Sequence, residues 1–543
     1  MLFSKLRKSV LCGASVMLAA CAADTNPTSV DVAQEAELTS QTFLVVYSNA
    51  GAVPASAAAD ITAAGGSVVA TYNEFGVIVA RSGYASFLTN EKTKSGVIGV
   101  APTTGAGVQG LALKIPAHFH WFAELPKPTF KIPFFQLPSA PSGEPLASMQ
   151  WNMDLIRTGS ARLTGNNGKG AVVAVLDSGI DDTLPDLVGA VDHSKSATCI
   201  GGVADADPAL WSYDGIGHGT HVAGIIGARK NGHGVIGVAP EATLAAIKVT
   251  DDGFVYPESV VCGLAWAANH GADIVNGSIF VDPWYYNCSN DPTQNTIKLA
   301  VQRAVDYAAS KKTTLIAASS NESQDLANPT TDPFSPTDVG ATPRTVDKNC
   351  KLLPIGNNNV IGVSAVGANG NLAYYSNYGL GQVDFTAPGG DLHVAANGNP
   401  SGQIVSPIPA YSFYYWLAGD ATYGWNGRVG IGCPGGADAN DPNIDPTQCT
   451  ETYALLQGTS MSTPHAAGVA ALIIARTGKL SPASLQTNLQ FLSKGKSCPS
   501  NPYQPYPADM PAETCQSQFL GPNGFYGYGM VDAFNAASGI PVL

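Results

Sequence analysis

The sequence predicts an α/β fold built on a largely parallel sheet and preceded by a small ferredoxin-like α+β unit. From Gly168 onward, short apolar runs alternate with longer helical patterns; the runs are "AVVAVLD", "ATLAAIKV", "ADIVNGSI", "TTLIAASSN" and "NVIGVSAVG". Near-continuous Val, Ile, Leu and Ala without polar alternation is typical of strands covered on both faces. Residues 42–102 instead follow the order β-α-β-β-α-β, which is that of a ferredoxin-like unit.

The first 20 residues have the pattern of a signal peptide. Basic residues precede the apolar stretch Val10 to Ala20, which is too short to span a bilayer as a helix. The following Leu-Ala-Ala-Cys, ending at Cys21, resembles the lipobox of bacterial lipoproteins, in which the cysteine is lipidated. The alternative is an ordinary small-residue cleavage site with a chance cysteine. We therefore expect an exported chain tethered through residues 21–41, in the outer membrane because no Asp follows Cys21 directly, or secreted if Cys21 is not lipidated.

The middle of the chain divides into a linker and a large domain. Residues 103–148 contain seven prolines, which interrupt both helix and sheet, and they are predicted to be a linker and processing region. Residues 149–543 form the remaining domain. It carries an irregular insertion at about 390–457, rich in Gly, Pro, Asn and aromatic residues. Long irregular loops in compact domains are often functional, so a role in substrate access is our hypothesis.

Charge and cysteine content limit the environment and the partners. The formal net charge is -13 without a basic cluster, which argues against nucleic acid as a partner. Of ten cysteines, eight remain after Cys12 and Cys21 are set aside, and an even number in an exported chain fits disulfides. The nearest neighbours predict Cys433–Cys449 and Cys498–Cys515. Three pairings stay open for Cys199, Cys262, Cys288 and Cys350, and buried free thiols are the alternative.

Two polar residues lie where a parallel sheet delivers ligand-binding groups. Asp177 directly follows an apolar strand, although an aspartate bonded to its own turn would look the same. In "GHGTHVAGIIGA", glycines give way to a small-residue helix at His221, where a general base could face a substrate. His218 and His221 also form a His-x-x-His pair, but the His-Glu-x-x-His arrangement of zinc proteases is missing.

Ser460 opens a third segment, "GTSMSTPH", which leads into an apolar helical run. A helix N-terminus carries partial positive charge and unpaired N–H groups, which stabilise an oxyanion forming beside a serine. Serine is also a favoured N-cap residue, and the two roles are compatible.

These three segments, "VAVLDSGID", "GHGTHVAG" and "GTSMSTPHAAGVAAL", resemble the signature segments of subtilisin-like serine proteases, and they occur in the order Asp, His, Ser. The resemblance covers about residues 149–543 and implies a subtilisin-like three-layer fold. Residues 42–102 resemble the inhibitory propeptide of the family. The resemblance implies that Ser460 is the nucleophile, His221 the general base and Asp177 its partner. Asn321 matches the asparagine of the oxyanion hole.

The resemblance also implies which residues line the substrate cleft, and there the chain departs from the family. The expected substrate-binding residues are Ser278, Ile279, Phe280, Ala318, Ser319 and Ser320. Glycine is usual in the family at the positions of Phe280 and Ser320. We therefore expect a narrowed pocket that favours small or medium side chains on the N-terminal side of the cut bond.

No cofactor is expected for catalysis. Asp186 and Asn231 fall where some relatives bind calcium, so a structural calcium site stays open, but two oxygen ligands do not make a cage and the metal ligands are unknown.

The sequence thus predicts an exported, lipid-anchored serine endopeptidase made as a self-processing zymogen. Its expected partners are protein or peptide substrates, its own propeptide as inhibitor, and the membrane through a lipid on Cys21. The alternative is a catalytically silent surface protein that uses the fold for binding. An α/β-hydrolase esterase is disfavoured, because Gly-x-Ser-x-Gly and the order Ser, Asp, His are both missing.

Overall fold

The structure, a computed structural model, describes the chain from residue 40 onward with gaps. The described residues are 40–105, 143–396, 398–399, 401–412, 428–431, 449–500, 503, 513–517 and 521–541. The predicted signal peptide with Cys21, most of the linker and the middle of the insertion lie outside them.

A seven-stranded sheet with only parallel pairings forms the centre of the large domain. Across the sheet the strands are Phe385–Pro388, Val360–Val366, Thr314–Ala318, Ile274–Gly277, Val172–Asp177, Thr243–Lys248 and Ala197–Thr198. Five of them coincide with the apolar runs described above, which confirms the largely parallel sheet. Because parallel strands all end at one edge, the residues that follow them converge there.

Helices cover both faces of this sheet, which gives the predicted three layers. Val173 and Val175 face a core shared with helices His218–Gly227 and Thr459–Thr477, whereas Ala174 and Leu176 face helices Pro257–Asn269 and Pro292–Ser310. The alternation follows from the two-residue period of a strand. The other α-helices in the described part of the large domain are Trp151–Leu155, Thr158–Arg162, Pro208–Trp211, Pro482–Leu492 and Ala533–Ser538. Among the described residues, no helix is both long and apolar enough to cross a membrane.

The N-terminal unit has the predicted β-α-β-β-α-β order. Its elements are Gln41–Tyr47, Ala57–Ala63, Ser67–Tyr72, Val77–Ser82, Phe87–Lys92 and Val97–Pro102. The strands form an antiparallel sheet in the order second, third, first, fourth. One face of this sheet packs on its own helices, and the other, with Leu44 and Val79, joins the core of helices Pro257–Asn269 and Pro292–Ser310.

Smaller sheets and disulfides complete the described part. Two-residue strands pair Asn287–Cys288 with Cys350–Lys351 and Thr331–Asp332 with Arg344–Thr345. In the insertion, Glu451–Leu456 lies between the antiparallel strands Ile404–Pro407 and Arg428–Ile431. The disulfide Cys498–Cys515 is confirmed, and Cys199–Cys262 and Cys288–Cys350 resolve the open pairing. Cys449 is also disulfide-bonded; its predicted partner Cys433 lies outside the described residues.

The C-terminal end of the predicted linker belongs to the folded domain. Leu146 is fully buried, and its N–H donates to Gly234 O at 2.7 Å. The carboxylate of Glu144 accepts the N–H of Gly232, and the amide of Gln150 is bonded in both directions to the backbone of Ile236. Buried side chains and hydrogen bonds therefore hold residues 144–150 in the folded domain.

Candidate active site

A cleft at the carboxyl edge of the central sheet collects most of the predicted site residues. Asp177 ends the strand Val172–Asp177, Asn321 follows the strand Thr314–Ala318 by three residues, and Ser460 lies in the first turn of helix Thr459–Thr477. All three line the cleft, as does His218.

Asp177 is paired with His218. Its Oδ1 lies 2.8 Å from Nδ1 of His218 and also accepts the N–H of Ser178 at 2.8 Å, so the turn contact and the histidine contact coexist. Asp177 is 2% and His218 12% exposed at the side chain. Burial disfavours the charged imidazole, but the charge and hydrogen bond of Asp177, together with the charge of Asp214, outweigh it, and the pKa of His218 is raised above its usual value.

The assignment of His221 as the general base is wrong. His221 is fully buried and is not part of the cleft. Its Nε2 lies 3.2 Å from Ile404 O and 3.1 Å from Ala454 O, so this nitrogen carries the proton and is occupied by two carbonyls. Burial lowers the pKa of His221 to about 3. His221 lies one helical turn after His218, where it contacts the insertion and not the cleft.

Ser460 is the second residue of its helix rather than its cap. Gly458 occupies the N-cap position, and the helix runs from Thr459 to Thr477. The Oγ of Ser460 donates to Ser278 O at 3.2 Å, and Ser278 Oγ donates to Ser460 O at 2.8 Å. These contacts hold the serine at the cleft beside the positive end of the helix dipole.

Asn321 is oriented by Thr459, the residue before Ser460. Its Oδ1 accepts the backbone N–H of Thr459 at 2.8 Å and the hydroxyl of Thr459 at 3.0 Å. Because the carbonyl oxygen of the amide is used in this way, Nδ2 is the group that Asn321 offers as a donor.

The walls of the cleft agree with the sequence except at one residue. Of the expected substrate-binding residues, Ser278, Ile279, Phe280, Ala318 and Ser320 line the cleft. Ser319 does not: it is fully buried, and its hydroxyl donates to Asn377 O at 3.0 Å. Phe280 is 7% exposed, and its ring meets that of Tyr285 edge-on at 5.3 Å.

Sequence reasoning missed several lining residues besides His218. They are Ile216, Thr250, Gly253, Val255, Glu322, Leu456, Gln457, Thr459 and Met461, with Ser178 beside Asp177. Thr250 closely follows the strand Thr243–Lys248, so its position after an apolar run was a usable signal. Leu456 and Gln457 come from the end of the insertion, where no periodic pattern placed them.

The residues expected near calcium do not assemble into a cage. Oδ1 of Asp186 is buried without a hydrogen-bond partner, which would suit a cation. Asn231, however, accepts the N–H of His233 with its own oxygen and donates to Pro185 O. Within the described ranges, no group of three or more His, Cys, Asp or Glu is placed to hold a metal ion. Asp186 and Asn231 alone do not supply the six to eight oxygens that calcium takes.

Two bacterial proteases are similar to the chain in sequence. M-protease from Shouchella clausii is 28% identical over 349 residues, which cover 64% of the chain and 65% of M-protease, slightly less than two thirds of it. Subtilisin BL from Lederbergia lenta is 29% identical over 344 residues, which cover 63% of the chain and 90% of that protein.

Solved structures share the fold. The epidermin leader peptide processing serine protease of Staphylococcus aureus superposes with a TM-score of 0.60 at 18% identity, covering 92% of this chain and 98% of that one. Fervidolysin from Fervidobacterium pennivorans gives 0.57 at 22% identity, covering 92% of this chain and 61% of that one. The family model of the subtilases matches residues 168–529, which is more than half of the chain. The chain therefore belongs to the subtilase family of serine proteases.

Proposed function

We propose that the chain is an exported serine endopeptidase that hydrolyses peptide bonds through Asp177, His218 and Ser460. The observation that carries this proposal is the Asp177–His218 contact in the cleft that Ser460 and Asn321 also line. A protein that kept the fold only to bind would not need this combination.

In the proposed mechanism, Ser460 Oγ attacks the peptide carbonyl while Nε2 of His218 takes its proton. Asp177 holds the tautomer of His218 through Nδ1 and stabilises the imidazolium that forms. Nδ2 of Asn321 and the backbone N–H of Ser460 stabilise the oxyanion. His218 then returns the proton to the leaving amine, and water hydrolyses the acyl-enzyme by the same route.

A fluorophosphonate probe, which reacts with an activated serine, tests this proposal. The wild-type chain should be labelled, and Ser460→Ala and His218→Ala should not. His221→Gln is the matched histidine control and should be labelled. A folded wild-type chain that takes no label and cleaves no peptide would instead favour the silent binding protein.

The N-terminal unit is the proposed inhibitory propeptide. Nη1 of Arg303, on helix Pro292–Ser310, donates to Tyr47 O at 2.7 Å, and it also bonds Phe75 O and Gly76 O. At the end of the unit, the N–H of Gly105 donates to Asp338 at 2.7 Å. These contacts support the proposal that the unit docks on the domain, with its C-terminal end bound at Asp338.

Self-processing is proposed to cut within residues 106–142. Gly105 is bound by Asp338, and from Glu144 onward the chain is built into the domain, so a cut within either of these stretches would break the contacts described. Ser460→Ala should accumulate at full precursor length, and N-terminal sequencing of the mature wild type should begin before Glu144. Normal processing of Ser460→Ala would show that another protease matures the chain.

Export and lipid attachment complete the proposal. The three disulfides described above support an oxidising compartment. Metabolic labelling with an alkynyl fatty acid should mark the wild type but not Cys21→Ser. Equal labelling of both would exclude Cys21 as the anchor.

A further inference from the structure

Asn377 is a fully buried asparagine outside the cleft that binds the loop carrying Asn321. Its Oδ1 accepts the N–H of Glu322 at 3.0 Å and that of Gln324 at 2.8 Å. Its Nδ2 lies 2.8 Å from Ser319 O. Its backbone N–H donates to Ser320 O at 3.0 Å, and its backbone O accepts the hydroxyl of Ser319. One residue thus contacts the loop on both sides of Asn321.

The loop needs such support because its backbone is strained. Ser320 and Ser323 both have positive φ, 74° and 53°. A residue other than glycine is strained in the left-handed region, and it persists there only where its surroundings hold it. The bonds from Asn377 attach to the residues between and beside these two strained positions.

A second set of contacts ties the same loop to Tyr285. The hydroxyl of Tyr285 donates to Oε2 of Glu322 and lies 2.7 Å from Nδ2 of Asn377. Oε2 of Glu322 also accepts the N–H of Asn321 at 2.8 Å, and Nδ2 of Asn377 lies 3.1 Å from it. The backbone N–H of Asn321 is therefore bound by Glu322, while Thr459 binds its side chain.

We propose that Asn377 is a positioning residue for oxyanion stabilisation, acting through Asn321 by fixing the loop 319–324, with Tyr285 as its partner. The inference rests on the proposed peptidase function. A hydrogen-bond donor must meet the oxyanion to within a fraction of an ångström, so a loop that relaxes loses transition-state stabilisation while substrate binding changes little.

The test is a double-mutant cycle between Asn377 and Asn321. Each variant is matured in trans by the wild type, and kcat and KM are measured with a chromogenic peptide after active-site titration. Asn377→Ala should lower kcat by about 10- to 100-fold with KM within about 3-fold of the wild type. In the Asn321→Ala background the same change should lower kcat by less than about 3-fold, because the donor that it positions is already missing.

Tyr285→Phe decides the matter if Asn377→Ala does not fold. This substitution removes one hydroxyl and keeps the ring. It should lower kcat by about 3- to 10-fold in the otherwise wild-type chain and by less than about 2-fold in the Asn321→Ala background.

Asn523→Ala is the matched control, since Asn523 is buried and its Oδ1 accepts two backbone N–H groups, those of Phe525 and Tyr526. It should lower the melting temperature and leave kcat per titrated site unchanged. A loss of kcat that is equal in both backgrounds would overturn this inference and leave the proposed function intact. So would a rise in KM with kcat unchanged. A wild type that cleaves no peptide would overturn the proposed function and the role of Asn377 with it.

Discussion

The two histidines of helix His218–Gly227 lie one turn apart and face different surroundings. His218, the first residue of the helix, borders the cleft and contacts Asp177. His221 faces inward and bonds the carbonyls of Ile404 and Ala454, on two strands of the insertion. The same residue type thus borders the cleft at one position and is a buried hydrogen-bond donor at the other. His218 begins the helix beside the cleft, whereas His221 lies one turn further along, in contact with the insertion.

The largest predicted effect separates the two histidines by kcat. His218→Ala should lower kcat by about 10⁶-fold, the scale found for the triad histidine of a subtilisin. His221→Ala, matured in trans and titrated for active sites, should stay within about 10-fold of the wild type, because its imidazole touches no reacting atom. Steady-state hydrolysis of a chromogenic peptide measures both. Comparable losses of kcat in the two variants would remove the distinction.

The second prediction concerns pH and Asp177. The base must be neutral to accept a proton, so kcat/KM should rise with pH through the pKa of His218. That pKa is raised above 6.5 by Asp177. Asp177→Asn should lower kcat by about 10⁴-fold. It should also shift the acid limb of the kcat/KM profile to lower pH.

The pH profile of His221→Gln is the control for this experiment. Its acid limb should coincide with that of the wild type, since the pKa of His221 is depressed to about 3 by burial. A limb that moves in His221→Gln and not in Asp177→Asn would contradict the assignment.

The third prediction is that His221 matters for stability instead. His221→Ala removes the donor that His221 offers to the carbonyls of Ile404 and Ala454 and opens a cavity, and it should cost about 2 to 4 kcal/mol of unfolding free energy. His221→Gln keeps an N–H donor and should recover part of this loss. Denaturant unfolding in the Ser460→Ala background, where self-digestion is removed, measures both variants. Equal stability of His221→Ala and the parent would show that the contact contributes nothing.

The burial of His221, which lowers its pKa, also predicts a pH dependence of stability. Below about pH 6.5 the unfolded chain protonates this histidine, whereas the folded chain does so only near pH 3. The unfolded state then binds more protons, so stability falls as pH drops through this window, by up to about 1.4 kcal/mol per pH unit from His221. His221→Gln should reduce that slope.

The sequence predicted the sheet and the cleft well because both depend on local pattern. Apolar runs mark buried strands, and Asp177 directly follows one of them, whereas Asn321 was identified through the family resemblance and Ser460 through that resemblance and the helix it opens. His218 and His221 could not be separated in this way, because both lie in the same glycine-rich motif and only the start of the helix distinguishes them. Ser319 and Ser320 differ for a similar reason: the left-handed backbone of Ser320 and the bond from Ser319 to Asn377 depend on tertiary contacts.

The smallest predicted effect concerns Phe280, which borders the cleft and also belongs to a buried cluster. It lines the cleft, yet it also packs on Tyr285 in a buried cluster with Phe334. If its ring narrows the pocket, Phe280→Ala should raise kcat/KM for substrates with Phe before the cut bond by about 10-fold relative to those with Ala. Phe334→Ala removes an equal ring from the same cluster away from the cleft and should leave this ratio unchanged. Equal shifts in both variants would mean that loosening the cluster, rather than clearing the cleft, sets the preference.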